Sequence, residues 1–214
     1  MATVNTITGD QVVNGNITCT GRVSSQTGIQ RSSLEMDPSV TFGLPLHDWR
    51  VWDNEGTLLP STVGSADDLG LVTGTFGTNF SYLSTQDLNG AGAITERARI
   101  QFTIPFGYEL GANFYIAVYA GMLTSAASVS ATLDFEAFWQ TIGSRAVDGG
   151  DIVLDAAKTI NSTVLGGYNW LCSGVNGNEA RQLDIRMTLA ANSVTASAHH
   201  AIVARTYLLL PYRS

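Results

Sequence analysis

The sequence predicts an all-β protein, a jelly-roll-type antiparallel β-sandwich with an N-terminal β-winding arm. Three observations predict it. Several segments alternate polar and apolar residues with period two, which gives a strand one core face and one wet face. Clusters of Asp, Asn and Gly separate these segments, as hairpin and loop chemistry requires. The first 24 residues keep a six-residue beat instead, the pattern of β-helical or β-prism winding.

In the arm, Ile7-Thr8-Gly9-Asp10-Gln11-Val12 is followed by Val13-Asn14-Gly15-Asn16-Ile17-Thr18 and then by Cys19-Thr20-Gly21-Arg22-Val23-Ser24. Each hexad opens on an apolar residue and carries Gly third. Winding puts Gly9, Gly15 and Gly21 at corners, where a side chain would clash or force an unfavourable backbone. Ile7, Val13 and Cys19 then share an apolar seam, and Ile17 and Val23 add to the candidate interface. Three hexads make about one coil, which has no neighbour to stack on. The arm is therefore expected to fold only when copies of the chain wind together, as a homotrimer. Residues 26–34 break the beat and read as a linker. Residues 1–40 are thus expected to be arm and linker, serving oligomerisation and attachment, and residues 41–214 the sandwich domain.

Within the body, Arg97–Ile104, Ser128–Ala137 and Gln182–Leu189 alternate cleanly. By contrast, Asn113–Ala120 and Ala201–Leu210 are apolar on both faces. Such strands belong at the centre of a sheet or beneath an interface. Asp53-Asn54-Glu55-Gly56, Asp87-Leu88-Asn89-Gly90 and Asp148-Gly149-Gly150-Asp151 supply turns. Helical signal is confined to 65–69 and 155–158, each long enough for a turn or two. About eight short strands punctuated in this way suit a jelly roll.

Composition excludes several classes of function. The chain has 214 residues, a formal net charge of −7 and only 14% charged residues. Lys158 is the only lysine and the ten arginines are scattered, whereas a phosphate backbone demands clustered cations. No nucleic-acid partner is expected. The acidic balance argues against adhesion to an anionic membrane, and Tyr115–Leu123, the longest apolar-rich run, is too short to span a bilayer. The start of the chain lacks the basic and apolar regions of a signal peptide, so synthesis in a cytoplasm is expected. Cys19 and Cys172 are the only cysteines. They show no metal or redox spacing and read as buried thiols.

No catalytic constellation emerges, and no metal or cofactor is expected. His47 stands apart from the pair His199-His200, whose neighbouring side chains point to opposite strand faces. Asp67-Asp68 and the 87–89 loop lack calcium-loop spacing. Asp134 and Glu136 share a strand face, roughly 7 Å apart, a separation that glycosidase carboxylates also show. Alternating charged residues are what any solvent-facing strand shows, however, and that is the reading taken for this pair. Trp49 and Trp52 fall on opposite faces, so one can anchor the core while the other meets a partner. Tyr115, Tyr119 and Tyr207 are further interface candidates, because aromatic side chains are enriched where proteins meet partners. A sugar platform uses exposed aromatics too.

The hexad arm, with the Ile104-Pro105-Phe106-Gly107-Tyr108-Glu109-Leu110-Gly111-Ala112 connection, resembles the small virion structural proteins of tailed bacteriophages. That resemblance implies a non-enzymatic homotrimer located in the virion. The most direct function it implies is a capsid decoration (cement) protein that stabilises the phage head by binding the major capsid protein or other virion subunits. The alternative is a receptor- or glycan-binding module of a tail or head fibre, signalled by exposed Trp or Tyr in a concave patch. A third reading, a sugar-active hydrolase, requires two carboxylates converging in a cleft.

Overall fold

The structure is a computed structural model that describes residues 39–88, 91–123, 129–141, 147–174, 181–193 and 199–212. The expectations for Ile7, Gly9, Val13, Gly15, Ile17, Cys19, Gly21 and Val23 lie outside these residues. In chain order the first strands are β1 (Ser39–Gly43), β2 (Arg50–Val51), β3 (Asn54–Leu58), β4 (Gly70–Val72), β5 (Tyr82–Ser84) and β6 (Gly92–Thr103). They are followed by β7 (Phe114–Met122), β8 (Val129–Thr141), β9 (Val147–Asp148), β10 (Lys158–Thr159), β11 (Gly166–Cys172), β12 (Arg181–Ser193) and β13 (Ala201–Pro211).

Two antiparallel sheets form a jelly-roll-type sandwich. The first runs β11-β7-β13-β5-β4, with β1 also paired to β13. The second runs β10-β8-β12-β6-β2-β3, with β9 on β8. The alternating segments become β6, β8 and β12, and β12 pairs with the other two along its length. Their apolar positions point inward: Ala98 and Ile100, Leu133 and Phe135, Leu183 and Ile185 are all buried. They meet Phe114, Ile116, Val118, Trp170, Leu208 and Leu210 of the opposing sheet. Phe135 and Trp170 pack edge to face across the sheets at 4.9 Å, and Phe114 meets Trp139 at 5.7 Å. Such geometry adds to the burial term.

The helical turns expected at 65–69 and 155–158 do not form. Ser65 and Asp68 bridge to each other across a turn, and Lys158 opens β10, held by Asp155 at 3.0 Å. Sheet pairing outcompetes a local preference only a few residues long. Among the described residues the one helix is a 3-10 turn, Leu46–Asp48.

The 104–112 connection is a tight corner. Tyr108 is buried, and its hydroxyl donates to the Ala112 carbonyl while its ring packs against Phe114 and Trp139. Gly107 has φ +102, and a Cβ there would overlap the Tyr212 ring. Tyr212 in turn donates its hydroxyl to the Phe106 carbonyl. Gly107→Ala is expected to cost about 2 kcal/mol or more from backbone strain and overlap. Urea unfolding of the two forms measures it.

Candidate functional site

The two outer sheet faces differ in how their polar groups are spent. On the second sheet the charged groups near its centre are partnered. Arg99 makes paired hydrogen bonds of 2.6 Å to Asp184 and lies 3.2 Å from Glu55. Arg186 is bound to Glu136, and Gln101 bonds Glu55 at 2.7 Å. Trp52 lies half-buried here with the Arg97 and Arg186 guanidinium groups over its ring, at 5.3 and 5.6 Å, and donates its indole N–H to Asp67 at 3.0 Å. Asp134 and Glu136 do share this face. Glu136 is held by Arg186, and burial raises the Asp134 carboxyl above its usual range.

The first sheet presents a cleft of about 900 Å³, at the upper end of the range for ligand sites. Its floor is built from β7, β11 and β13. Strand β7 buries Phe114, Ile116, Val118 and Ala120, so Tyr115, Ala117 and Tyr119 must point out. The register then sets three rows across the sheet. Leu171, Tyr115, Leu209 and Thr41 share one row, Asn169, Ala117, Tyr207 and Gly43 the next, and Gly167, Tyr119 and Arg205 the third. Tyr115 and Tyr119 are thus about 13 Å apart along one strand, and Tyr207 stands beside the alanine between them on the neighbouring strand.

Small residues keep the rings accessible. A Cβ on Gly167 would touch the Tyr119 ring at 3.7 Å, so the ring lies across the glycine. Tyr115 and Tyr119 are 43% and 48% exposed. Phe80, which packs edge-on to Tyr82, joins the cleft wall with Leu165 and Thr41. The Asn169 carbonyl accepts from Lys158. Among the described residues, its side-chain amide and the hydroxyls of Tyr119 and Tyr207 have no partner.

A β-bulge places the cation. The β13–β7 register runs Val203 opposite Ala120, then Arg205 opposite Tyr119, with Ala204 as the extra residue. Val203 faces the core. A regular strand would turn Ala204 outward and drive Arg205 inward; the bulge keeps Ala204 at the cleft and brings Arg205 to the outer face as well. Thr206, the next inward residue, donates its hydroxyl to the Leu44 carbonyl at 2.6 Å and receives the Trp49 indole N–H at 3.3 Å.

This corrects the expectation for Trp49 as an interface residue. It is 1% exposed and packs in the core, so it offers a partner no surface. Trp52 keeps some exposure, with the Arg97 and Arg186 guanidinium groups over its ring. The tyrosines flagged in the sequence come together, with Tyr119 and Tyr207 in the cleft and Tyr115 on the same face. Arg205, Asn169, Thr41 and Phe80 were not singled out. Arg205 carried a signal, as the one charged residue in Ala201–Leu210.

Among the described residues no three histidines, cysteines or carboxylates gather as metal ligands would. His47 lies exposed beside Asp48, and His200 binds the Thr85 carbonyl at 3.0 Å. Cys172 is buried, which pushes its thiol up to about 12. The cleft sets flat aromatic rings beside donors and acceptors that have no partner among the described residues.

No family model matches the chain, and no curated protein is similar to it. Solved structures match at the level of fold. The CBM22-1 xylan-binding domain of Paenibacillus barcinonensis Xyn10C is 11% identical with a TM-score of 0.37, the match covering 78% of this chain and 94% of that one. TmCBM61, solved with β-1,4-galactotriose, is 12% identical with a TM-score of 0.38, covering 78% and 88%. The Stig cyclase Fisc of Fischerella sp. TAU is 9% identical with a TM-score of 0.37, covering 86% and 94%.

Proposed function

We propose that this protein is a carbohydrate-binding module whose glycan lies across Tyr119 and Tyr207. The observation that carries this reading is the cleft itself, where exposed Tyr119 and half-buried Tyr207 stand beside polar groups with no partner among the described residues. A pyranose ring has an apolar face of C–H groups and a rim of hydroxyls. The tyrosine rings supply surface for the first, and the Asn169 amide, the Thr41 hydroxyl and the phenol hydroxyls bond the second. In the virion setting that the sequence resembles, such a module would attach a fibre or head to a surface glycan.

A glycan array probed with the purified chain tests this reading. Tyr119→Ala and Tyr207→Ala are each expected to weaken binding about tenfold or more, roughly 1.4 kcal/mol, with unchanged melting. Equal binding by both variants would remove the cleft from the account. The cement reading uses an apolar sheet face as a subunit joint instead. Light scattering with and without glycan separates the two. A homotrimer that buries this face cannot bind through Tyr119, whereas a species that still binds has kept the face open.

A further inference from the structure

Resting on the glycan-binding reading, we propose that the cleft selects an acidic glycan, with Arg205 receiving a sugar carboxylate. Arg205 is the only cation of the described side chains with no partner. Arg50 is tied to the carbonyls of His47 and Trp49, Arg97 lies over Trp52, Arg99 holds Asp184, Arg186 holds Glu136 and Lys158 holds Asp155. Arg205 is exposed and lines the cleft beside Tyr119 and Tyr207.

The rest of the lining agrees in sign. In a chain with net charge −7, none of the described residues lining this cleft is a carboxylate. The cation is therefore not neutralised from within the site. Nor is it an incidental surface residue, since the bulge at Ala204 turns it outward and sets it opposite Tyr119. A guanidinium fork matches a carboxylate with two parallel hydrogen bonds, a geometry that a neutral hydroxyl cannot return. Apolar cleft walls strengthen that pairing by displacing water.

A carboxylate on a sugar has two common sources, a uronate within a chain and a sialate at its end. Binding is measured for two matched pairs within a wider array: polygalacturonate against its fully methyl-esterified form, and sialyllactose against lactose. The wild-type chain is expected to prefer the charged member of at least one pair by about tenfold or more, a preference that falls with added salt. The pair that responds identifies the source. Arg205→Gln should erase the preference, leaving melting and residual Tyr119-dependent binding intact, and Arg205→Lys should retain part of it. Equal binding of charged and neutral members, a preference that survives in Arg205→Gln, or binding of neutral glycans alone would each overturn acid selection. All three leave the glycan-binding reading standing. Binding of no glycan on the array overturns both.

Discussion

Trp170→Ala is expected to lower stability by about 3–5 kcal/mol, the largest loss of any substitution considered for this fold. Trp170 sits on β11 with no exposed surface and packs edge to face on Phe135 of the other sheet. Truncation removes that burial and leaves a cavity between the sheets. Lys158, 5.0 Å from the ring, loses its aromatic partner as well. For a chain of this length the midpoint of thermal unfolding should fall by roughly 10 °C. Trp170→Phe should cost less than half as much. It keeps most of the ring, and among the described residues the buried indole N–H has no acceptor to lose. Because Asn169 adjoins Trp170 on the cleft side, the alanine variant should also bind glycan more weakly near its new midpoint. Differential scanning calorimetry of the three forms gives the ranking.

The second large effect is a pH dependence set by Glu96. This side chain lies on the inward face of β6 with no exposed surface. Its Oε2 accepts the Gln86 amide at 2.9 Å, while Oε1 has no partner among the described residues. Burial raises its carboxyl from 4.5 to about 7, and Asp68 and Asp67 nearby push in the same direction. Gly64 packs directly over it, so a Cβ there would overlap Oε2 and sit 2.8 Å from the Asp68 carbonyl. Below 4.5 the folded and unfolded chains both hold the proton, and the shift costs nothing. As pH rises from 4.5 to 7 the unfolded chain loses its proton first, and folding stability declines. Above 7 both forms are ionised and the loss is complete. The difference amounts to about 3 kcal/mol. Glu96→Gln stays neutral throughout and can still accept the Gln86 amide. Its stability relative to wild type should therefore rise between pH 5 and 8 and then level off. A difference that stays flat across that range in urea titrations would show that Glu96 titrates normally.

The position of Glu96 was legible in the sequence. Ala98, Ile100 and Phe102 mark the even positions of β6 as inward, and the same period carried back two residues puts Glu96 inside. The sandwich was legible for the same reason, since alternation over β6, β8 and β12 survives wherever one face is buried. The cleft was legible only in part. Tyr115 and Tyr119 stand out on a strand that is apolar on both faces. Period two cannot register the bulge at Ala204, however, and a regular strand would have sent Arg205 inward. Asn169 and Thr41 meet Ala117 and Leu209 through pairings between strands far apart in the chain, which no local pattern encodes. Trp49 was misjudged because aromatic identity does not separate core from interface. Once it is packed in the core, its indole N–H is satisfied by the Thr206 hydroxyl, a partner far along the chain.

The most direct test of the central claim is chemical-shift mapping of the full chain titrated with the tightest-binding glycan from the array. Binding across the first sheet predicts shifts concentrated at Ala117, Tyr119, Gly167, Asn169, Arg205 and Tyr207, with Trp52, Arg99 and Asp184 unmoved. Shifts confined to the second sheet's face, or none at saturating glycan, would contradict it.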